Sequence, residues 1–88
     1  MTEREFTIPN KLGLHARPAA LFVRETGRFK SRVAVVKEGL EVNGKSVMGL
    51  MLLAAERGSK ILVRAEGPDE EAVLQSIEKL VADGFGEE

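Results

Sequence analysis

Residues 60–82 read KILVRAEGPDEEAVLQSIEKLVA, and within them the hydrophobic period changes from two residues to about 3.6. Ile61, Val63 and Ala65 alternate with polar residues, which is typical of a strand with one buried face. Beyond residues 67–68, a Gly-Pro turn, the apolar residues follow one helical stripe, formed by Val73, Leu74, Ile77, Leu80 and Val81. The stretch therefore predicts a strand, a turn and an amphipathic helix.

Both ends of this last helix carry recognisable signals. Asp69 is predicted as its N-cap, and the acidic residues 70–71 suit the positive end of the helix dipole. Gly84 fits the left-handed position after the last turn, where Phe85 can pack back against the helix. The two glutamates at 87–88 are predicted to be a solvated tail.

The preceding residues supply five further elements. The predicted elements are a strand at 4–8, a helix from 16 to about 26 ended by Gly27, strands at 33–37 and 40–42 joined by a tight turn, and a helix from 47 to about 56 ended by Gly58. Four strands covered on one face by helices are the economical α+β arrangement for this order, with the other sheet face in water.

Composition limits the function classes. A chain of 88 residues has room for one domain, and without cysteine it has no disulfide framework and no thiolate metal site. Thirteen basic and fourteen acidic residues give a net charge of -1, which argues against a general binder of nucleic acid or anionic membranes. We find no long apolar segment and no signal-peptide pattern, so we expect a cytoplasmic protein with no membrane insertion and no metal or other cofactor.

The single histidine, His15, lies where a loop meets the first predicted helix. Pro18 is typical of a first helical turn, so the helix begins near Ala16 and leaves the amides of Ala16 and Arg17 free to bind an anion. The Arg17 guanidinium matches phosphate oxygens, and an imidazole beside such a site can take up a phosphoryl group and release it. A surface or capping role for His15 is the alternative, and the residues by themselves leave both interpretations open.

The second predicted helix is apolar nearly all the way round. Leu50 and Leu53 lie on one side, and the other side carries Val47, Met48 and Met51. A short helix on one sheet buries only one side, so we predict an exposed apolar patch with adaptable methionines; a fully buried helix is the alternative. Ser46 is predicted as the N-cap.

Two motifs resemble those of a known family. The stretch GLHARP at 13–18 resembles the active-site motif of HPr, the histidine phosphocarrier of the bacterial phosphoenolpyruvate-dependent sugar phosphotransferase system. The stretch NGKSVMGLM at 43–51 is similar to the regulatory segment of the same family. Length and element order agree as well, so the resemblance covers essentially the whole chain.

The resemblance implies a fold and a reaction. The fold is an open-faced β-sandwich, a four-stranded antiparallel sheet with three helices on one face in the order βαββαβα. His15 would accept a phosphoryl group on Nδ1 from phosphorylated Enzyme I and donate it to the IIA domains of sugar permeases. Arg17 would stabilise the transferring group with help from the first-turn amides, including that of Ala16. Such a protein is a relay without turnover of its own.

The resemblance also implies partners. They would dock across the first and second helices, at Ala16, Ala20, Arg24, Val47, Met48 and Met51. In part of the family an ATP-dependent kinase, HPr kinase/phosphorylase, modifies the serine that matches Ser46, and a phosphate there would add negative charge to the docking patch. A transcriptional regulator is a further expected partner, and the chain itself is expected to be a monomer.

Three alternatives remain beside the sugar phosphocarrier. A carrier in a nitrogen-regulatory phosphotransferase chain would use His15 in the same way with other partners. A non-catalytic regulatory module would use only the apolar patch. A small RNA-binding domain fits poorly, because the chain has no tyrosine or tryptophan to stack on bases and is slightly acidic.

Overall fold

The computed structural model of this protein describes residues 1–87. The elements are β1 (Thr2–Thr7), α1 (Ala16–Thr26), β2 (Arg32–Lys37), β3 (Leu40–Asn43), α2 (Val47–Leu52), β4 (Lys60–Glu66), α3 (Glu70–Ala82) and a 3-10 turn (Gly84–Gly86). The strands pair in the order β1-β4-β2-β3, and every pair is antiparallel. The helices lie on one face of this sheet, so the predicted open-faced β-sandwich of the α+β class is confirmed.

Strand alternation decides which sheet face the helices cover. The inward-facing strand residues are buried; they are Phe6, Val33, Val35, Ile61, Val63 and Ala65, and Ile8 just beyond β1 is buried with them. From the helices, Phe22, Leu50 and Ile77 are fully buried against this layer. Because burial of each such side chain is worth about 1.5–3 kcal/mol, this single layer supplies the driving force for folding.

Charged residues occupy the uncovered sheet face, as the alternation predicts. Arg64 of β4 lies opposite Glu3 of β1 in the register and donates from Nε to its carboxylate at 2.8 Å. The same guanidinium donates from Nη1 to Glu41 of β3 at 3.1 Å. Such exposed pairs contribute about 0–1 kcal/mol each, so they add little to the stability of the sheet. Their main effect is to make this face hydrophilic.

Three of the four strands differ by one or two residues from their predicted limits. The first strand is predicted at 4–8, but pairing begins at Thr2, which lies opposite Ala65, and the strand ends at Thr7 before Ile8 and Pro9. Arg32 and Asn43 likewise belong to β2 and β3 because they have pairing partners. Hydrogen bonds between strands set these limits, and hydrophobic alternation does not report them.

The last helix follows its predicted stripe. Val73, Leu74, Ile77 and Val81 are buried, and Leu80 is half-buried at the edge of the core. Gly84 takes a left-handed φ of 62°, and Phe85 is buried to 1% exposure, so the predicted packing of Phe85 is confirmed.

Asp69 is the N-cap residue of α3, as predicted, but its side chain makes no cap hydrogen bond. Its carboxylate accepts instead from the amides of Lys30 and Ser31, each at 2.9 Å, and from the Ser31 hydroxyl. The segment between α1 and β2 competes for this carboxylate because it packs beside the start of α3. Asp69 therefore joins two distant parts of the chain.

The second helix is shorter than predicted. It ends at Leu52 and does not reach residue 56, because Ala54 takes a left-handed φ of 50°. Leu53 and Ala55 are both buried at 3% exposure, and the Ala55 carbonyl accepts from the Leu14 amide at 2.8 Å. None of the helices within residues 1–87 is long and apolar enough to cross a membrane.

Candidate functional site

His15 is the N-cap of α1. Its backbone is extended, with φ −78° and ψ −172°, and its carbonyl accepts the first helical bond from the Ala19 amide at 3.0 Å. Pro18 is buried as the third residue of the helix and has no amide hydrogen to satisfy. No acceptor within the described part of the chain takes the amide hydrogens of Ala16 or Arg17. These two donors form the positive end of an eleven-residue helix beside the imidazole.

The loop leading to His15 is clamped against the segment after α2. Gly13 has a φ of 69°, and a Cβ there would lie 2.3 Å from the Ala55 carbonyl oxygen. The same Cβ would lie 2.9 Å from the Cα of Glu56, so only glycine fits this approach. Together with the Leu14–Ala55 hydrogen bond, the contact fixes the backbone that presents His15.

The carboxylate of Glu87 lies against the His15 ring. Nε2 of His15 is 3.1 Å from Oε2 and 3.3 Å from Oε1 of Glu87. The solvated tail predicted for residues 87–88 is therefore wrong at Glu87, whose side chain is only 18% exposed; Glu88 lies outside the described residues. Burial of Phe85 anchors the turn that precedes Glu87 and directs this end of the chain toward the start of α1.

Asn10 is a further residue of the site that was not predicted from the sequence. It is buried at 4% exposure, and its Nδ2 donates to the Gly13 carbonyl at 2.7 Å and to Oε1 of Glu87 at 2.9 Å. It therefore braces the approach loop and the carboxylate together. A Pro-Asn-Lys-Leu-Gly loop predicts a turn, and nothing local in it predicts a partner 77 residues away.

The charges around the ring favour an ionised carboxylate. Partial burial of Glu87 opposes its ionisation, but hydrogen bonds from Asn10 and His15 and the charge of Arg17 outweigh it, so the pKa of Glu87 is held below its usual range. Arg17 itself is exposed, and its guanidinium is available to an incoming anion.

The second helix shows the division of faces that its sequence predicts. Leu50 is buried and Leu53 is 3% exposed, whereas Met48 is 78% and Met51 is 45% exposed. The alternative of a fully buried helix is wrong. Val47 departs from the prediction: it was placed on the exposed side with the methionines, but it is half-buried and packs against the core.

The first helix contributes small and basic residues to the same region. Ala16, Ala20 and Arg24 are all exposed, and α1 contacts α2. We call Ala16, Ala20, Arg24, Val47, Met48 and Met51 the docking face. Leu12 and Leu52 are also exposed, at 70% and 72%, although neither was predicted, because a loop and a helix end have no regular period.

Ser46 caps α2 as predicted. Its backbone is extended and its hydroxyl oxygen accepts from the Gly49 amide at 3.1 Å. The turn before it is tied to α1, because Thr26 donates to the Gly44 carbonyl at 2.8 Å and Lys45 donates to the Phe29 carbonyl at 2.7 Å. These bonds hold Ser46 in a fixed position relative to the first helix.

Comparison with known proteins agrees with this architecture. Residues 2–83 match the family model described as the PTS HPr component phosphorylation site. The phosphocarrier protein HPr of Xylella fastidiosa is 46% identical over 88 residues, which cover all of this chain and 99% of the relative. The HPr-like protein Crh of Bacillus subtilis is 46% identical over 77 residues, or 88% of this chain and 91% of Crh. The crystal structure of HPr-C-His from Thermoanaerobacter tengcongensis superimposes with a TM-score of 0.96 at 45% identity, covering 100% of this chain and 99% of that one.

Proposed function

The chain belongs to the HPr family, the phosphocarrier proteins of the bacterial phosphotransferase system, and from this premise we propose that His15 is the residue that carries the phosphoryl group. The position of the ring supports the assignment most directly. His15 stands at the start of α1 beside two amides that have no acceptor among residues 1–87, and the Arg17 guanidinium follows two residues later. A dianionic phosphoryl group placed at the ring would meet a helix terminus and a guanidinium, both of which stabilise negative charge.

The donor in this proposal is Enzyme I phosphorylated by phosphoenolpyruvate, and the acceptors are IIA proteins. Transfer onto an imidazole needs positioning and neutralisation of charge, because the ring nitrogen is already a competent nucleophile. The amides of Ala16 and Arg17 and the side chain of Arg17 are the groups proposed for this task. In this scheme the protein is a relay, and both the monomeric state and the cytoplasmic location stay predictions.

Incubation with phosphoenolpyruvate and Enzyme I tests the assignment. We expect an acid-labile phosphate on the wild-type chain and none on His15→Ala. An acid-labile adduct that persists in His15→Ala would contradict the role of His15. No adduct on the wild-type chain with an Enzyme I from the same host would contradict the proposed donor.

The docking face is proposed as the surface that Enzyme I and IIA proteins share. Its exposed methionines adapt to different apolar partners, and Arg24 offers charge to acidic ones. It adjoins His15 through Ala16, so a partner seated on it reaches the imidazole.

Two substitutions test the docking face without disturbing the core. Met48→Asp and Arg24→Glu should each slow phosphorylation by Enzyme I while leaving thermal stability near that of wild type, because both side chains are exposed. Leu40→Asp is the matched control, since Leu40 is 49% exposed in β3 and lies outside the docking face. Equal kinetics for Met48→Asp and Leu40→Asp would contradict the proposed surface.

Ser46 is proposed as a site of regulatory phosphorylation by an HPr kinase/phosphorylase. A phosphate at an N-cap suits the helix terminus, yet it sets about two negative charges next to Val47 and Met48 of the docking face. Incubation with host lysate and ATP, followed by mass spectrometry, should place an acid-stable phosphate on Ser46. An acid-stable phosphate confined to other residues would contradict this site.

A regulatory binding role is the second candidate, and the similarity to the HPr-like protein Crh supports it. Such a role needs only the docking face and Ser46. The proposed transcriptional regulator would bind this surface. Transfer of phosphate from His15 to a IIA protein separates the carrier from the purely regulatory module, and the identity of the IIA protein that accepts it separates sugar from nitrogen branches.

A further inference from the structure

The contact between His15 and Glu87 fixes the position of one ring hydrogen. Both oxygens of the Glu87 carboxylate face Nε2 of His15, at 3.1 and 3.3 Å. An ionised carboxylate can only accept hydrogen bonds. Burial opposes ionisation of Glu87, but the hydrogen bond from Asn10 and the charge of Arg17, which do not depend on the His15 tautomer, help to hold its pKa below the usual range. Nε2 must therefore carry the hydrogen, and in the neutral ring Nδ1 is left with its lone pair.

Asn10 holds this carboxylate in place. Both groups that face its Nδ2, the Gly13 carbonyl and the Glu87 carboxylate, are acceptors, so the amide cannot be reversed without losing both bonds. Its Oδ1 is buried and has no hydrogen-bond partner among residues 1–87. A buried polar atom without a partner costs stability, and that cost is explained if the amide is kept for orientation of Glu87.

We propose that Glu87, held by Asn10, is a positioning residue that keeps His15 in the Nε2–H tautomer and stabilises the positive charge that develops on the ring during transfer. The inference rests on the proposed function, in which Nδ1 of His15 takes the phosphoryl group. It assigns the tail of the chain to the site.

The transfer step balances without movement of a proton. The Nδ1 lone pair forms the bond to phosphorus while the bond from phosphorus to the donor breaks and leaves its electron pair on the donor. The ring, with hydrogen retained on Nε2, becomes a cation beside the Glu87 carboxylate. On donation to the next protein, the electron pair of the N–P bond returns to Nδ1 and the neutral ring is restored.

Two variants of Glu87 test the proposal. Glu87→Gln keeps the shape and removes the charge, and Glu87→Ala removes both; Glu71→Gln is the matched control, because Glu71 is exposed and bonds to no side chain among the described residues. Single-turnover transfer from phosphorylated Enzyme I is followed at saturating donor, and exchange of the His15 Nε2 hydrogen with water is followed by ¹⁵N-edited NMR. Thermal melting verifies that each variant is folded.

We expect the saturated transfer rate to fall about tenfold in Glu87→Gln and further in Glu87→Ala, as for loss of one charge-assisted hydrogen bond. The donor concentration at half-maximal rate should stay unchanged, and the Nε2 hydrogen should exchange faster in Glu87→Ala. A change confined to the half-maximal concentration would assign Glu87 to docking and overturn the proposal. Unchanged exchange and rate in both variants, with the wild type phosphorylated on His15, would also overturn it. Phosphorylation of the wild type at another residue would overturn the proposed function instead.

Discussion

At the scale of single residues, the reactivity proposed for His15 comes from its place at a helix terminus rather than from a partner nucleophile. The amides of Ala16 and Arg17 point away from α1, and their direction is set by the backbone. Side-chain chemistry is therefore left to the ring, the Arg17 guanidinium and the Glu87 carboxylate. Each of these three residues has a distinct expected effect when it is changed.

Replacement of Arg17 by lysine should slow transfer although the charge is kept. A guanidinium donates two parallel hydrogen bonds to phosphate oxygens, whereas an ammonium acts as a point charge. We expect about a tenfold lower single-turnover rate from phosphorylated Enzyme I, the size of one lost hydrogen bond to a charged group. Arg32→Lys, on the uncovered side of the sheet, is the control, and equal rates for the two variants would refute the bidentate role.

Replacement of Asn10 by alanine should change the pKa of Glu87. Loss of the Asn10 hydrogen bond removes one of the groups that hold the pKa of Glu87 down, so that pKa should rise toward its usual range. The carboxyl ¹³C shift of Glu87, followed through an acid titration, measures the change. A titration curve identical to that of wild type would show that Asn10 does not hold the carboxylate.

At the scale of elements, α2 is too short to be stable by itself and depends on burial of one face and on its N-cap. A helix of six residues is held by burial of Leu50 on one side and by the Ser46 cap at its start. The other face carries exposed Met48 and Met51, so the element both anchors itself and presents a surface. This dual use explains why its composition is apolar nearly all the way round.

Ser46→Ala should destabilise the fold by about 1 kcal/mol, because the Gly49 amide loses its acceptor. Ser46→Asp retains a capping oxygen and should stay near wild-type stability, while its negative charge slows transfer from Enzyme I. Urea denaturation and transfer kinetics on the same samples separate these effects. Equal stability of the alanine and wild-type chains would mean that water replaces the cap without cost.

At the scale of the whole molecule, contacts between distant segments assemble the site and the fold. The approach loop, the start of α1 and the end of the chain meet at His15, which lies 72 residues from Glu87. At the opposite end of α1, Asp69 joins the start of α3 to the segment that enters β2. Gly67 permits this closeness, since a Cβ there would lie within 3 Å of Ser31.

The Asp69 contact should make stability depend on pH. Hydrogen bonds from the Ser31 hydroxyl and the Lys30 amide outweigh burial and lower the pKa of Asp69 from 3.8 to about 2. Because the pKa is lower in the folded state, the stabilisation is complete well above pH 3.8 and is lost as the pH falls toward about 2.

Urea denaturation of wild type and Asp69→Ala across that range measures this contribution. The difference in unfolding free energy between the two should be largest near neutral pH and should shrink between pH 4 and pH 2, where the wild-type carboxylate takes up its proton. A difference that stays constant over this range would show that ionisation of Asp69 contributes nothing.

Sequence and tertiary structure determined different parts of this protein. Periodicity placed all seven elements and most of the core, including Val73 and Ile77, because burial of one face imposes a period that the chain itself displays. Burial of Phe85 was predicted separately, from the left-handed glycine that ends α3. The start of α1, the Ser46 cap and the exposed methionines were also predictable, since capping residues and local spacing decide them.

Only the tertiary structure decided where α2 ends, what Asp69 binds and that Glu87 reaches His15. In each case a contact between distant residues overrides the local preference. The Ala55 carbonyl accepts a hydrogen bond from Leu14, and the Asp69 carboxylate accepts one from Ser31. The Glu87 carboxylate contacts Asn10 and His15. The physical reason is that a hydrogen bond depends on distance in space, and separation along the chain, here up to 77 residues, leaves no trace in the local pattern.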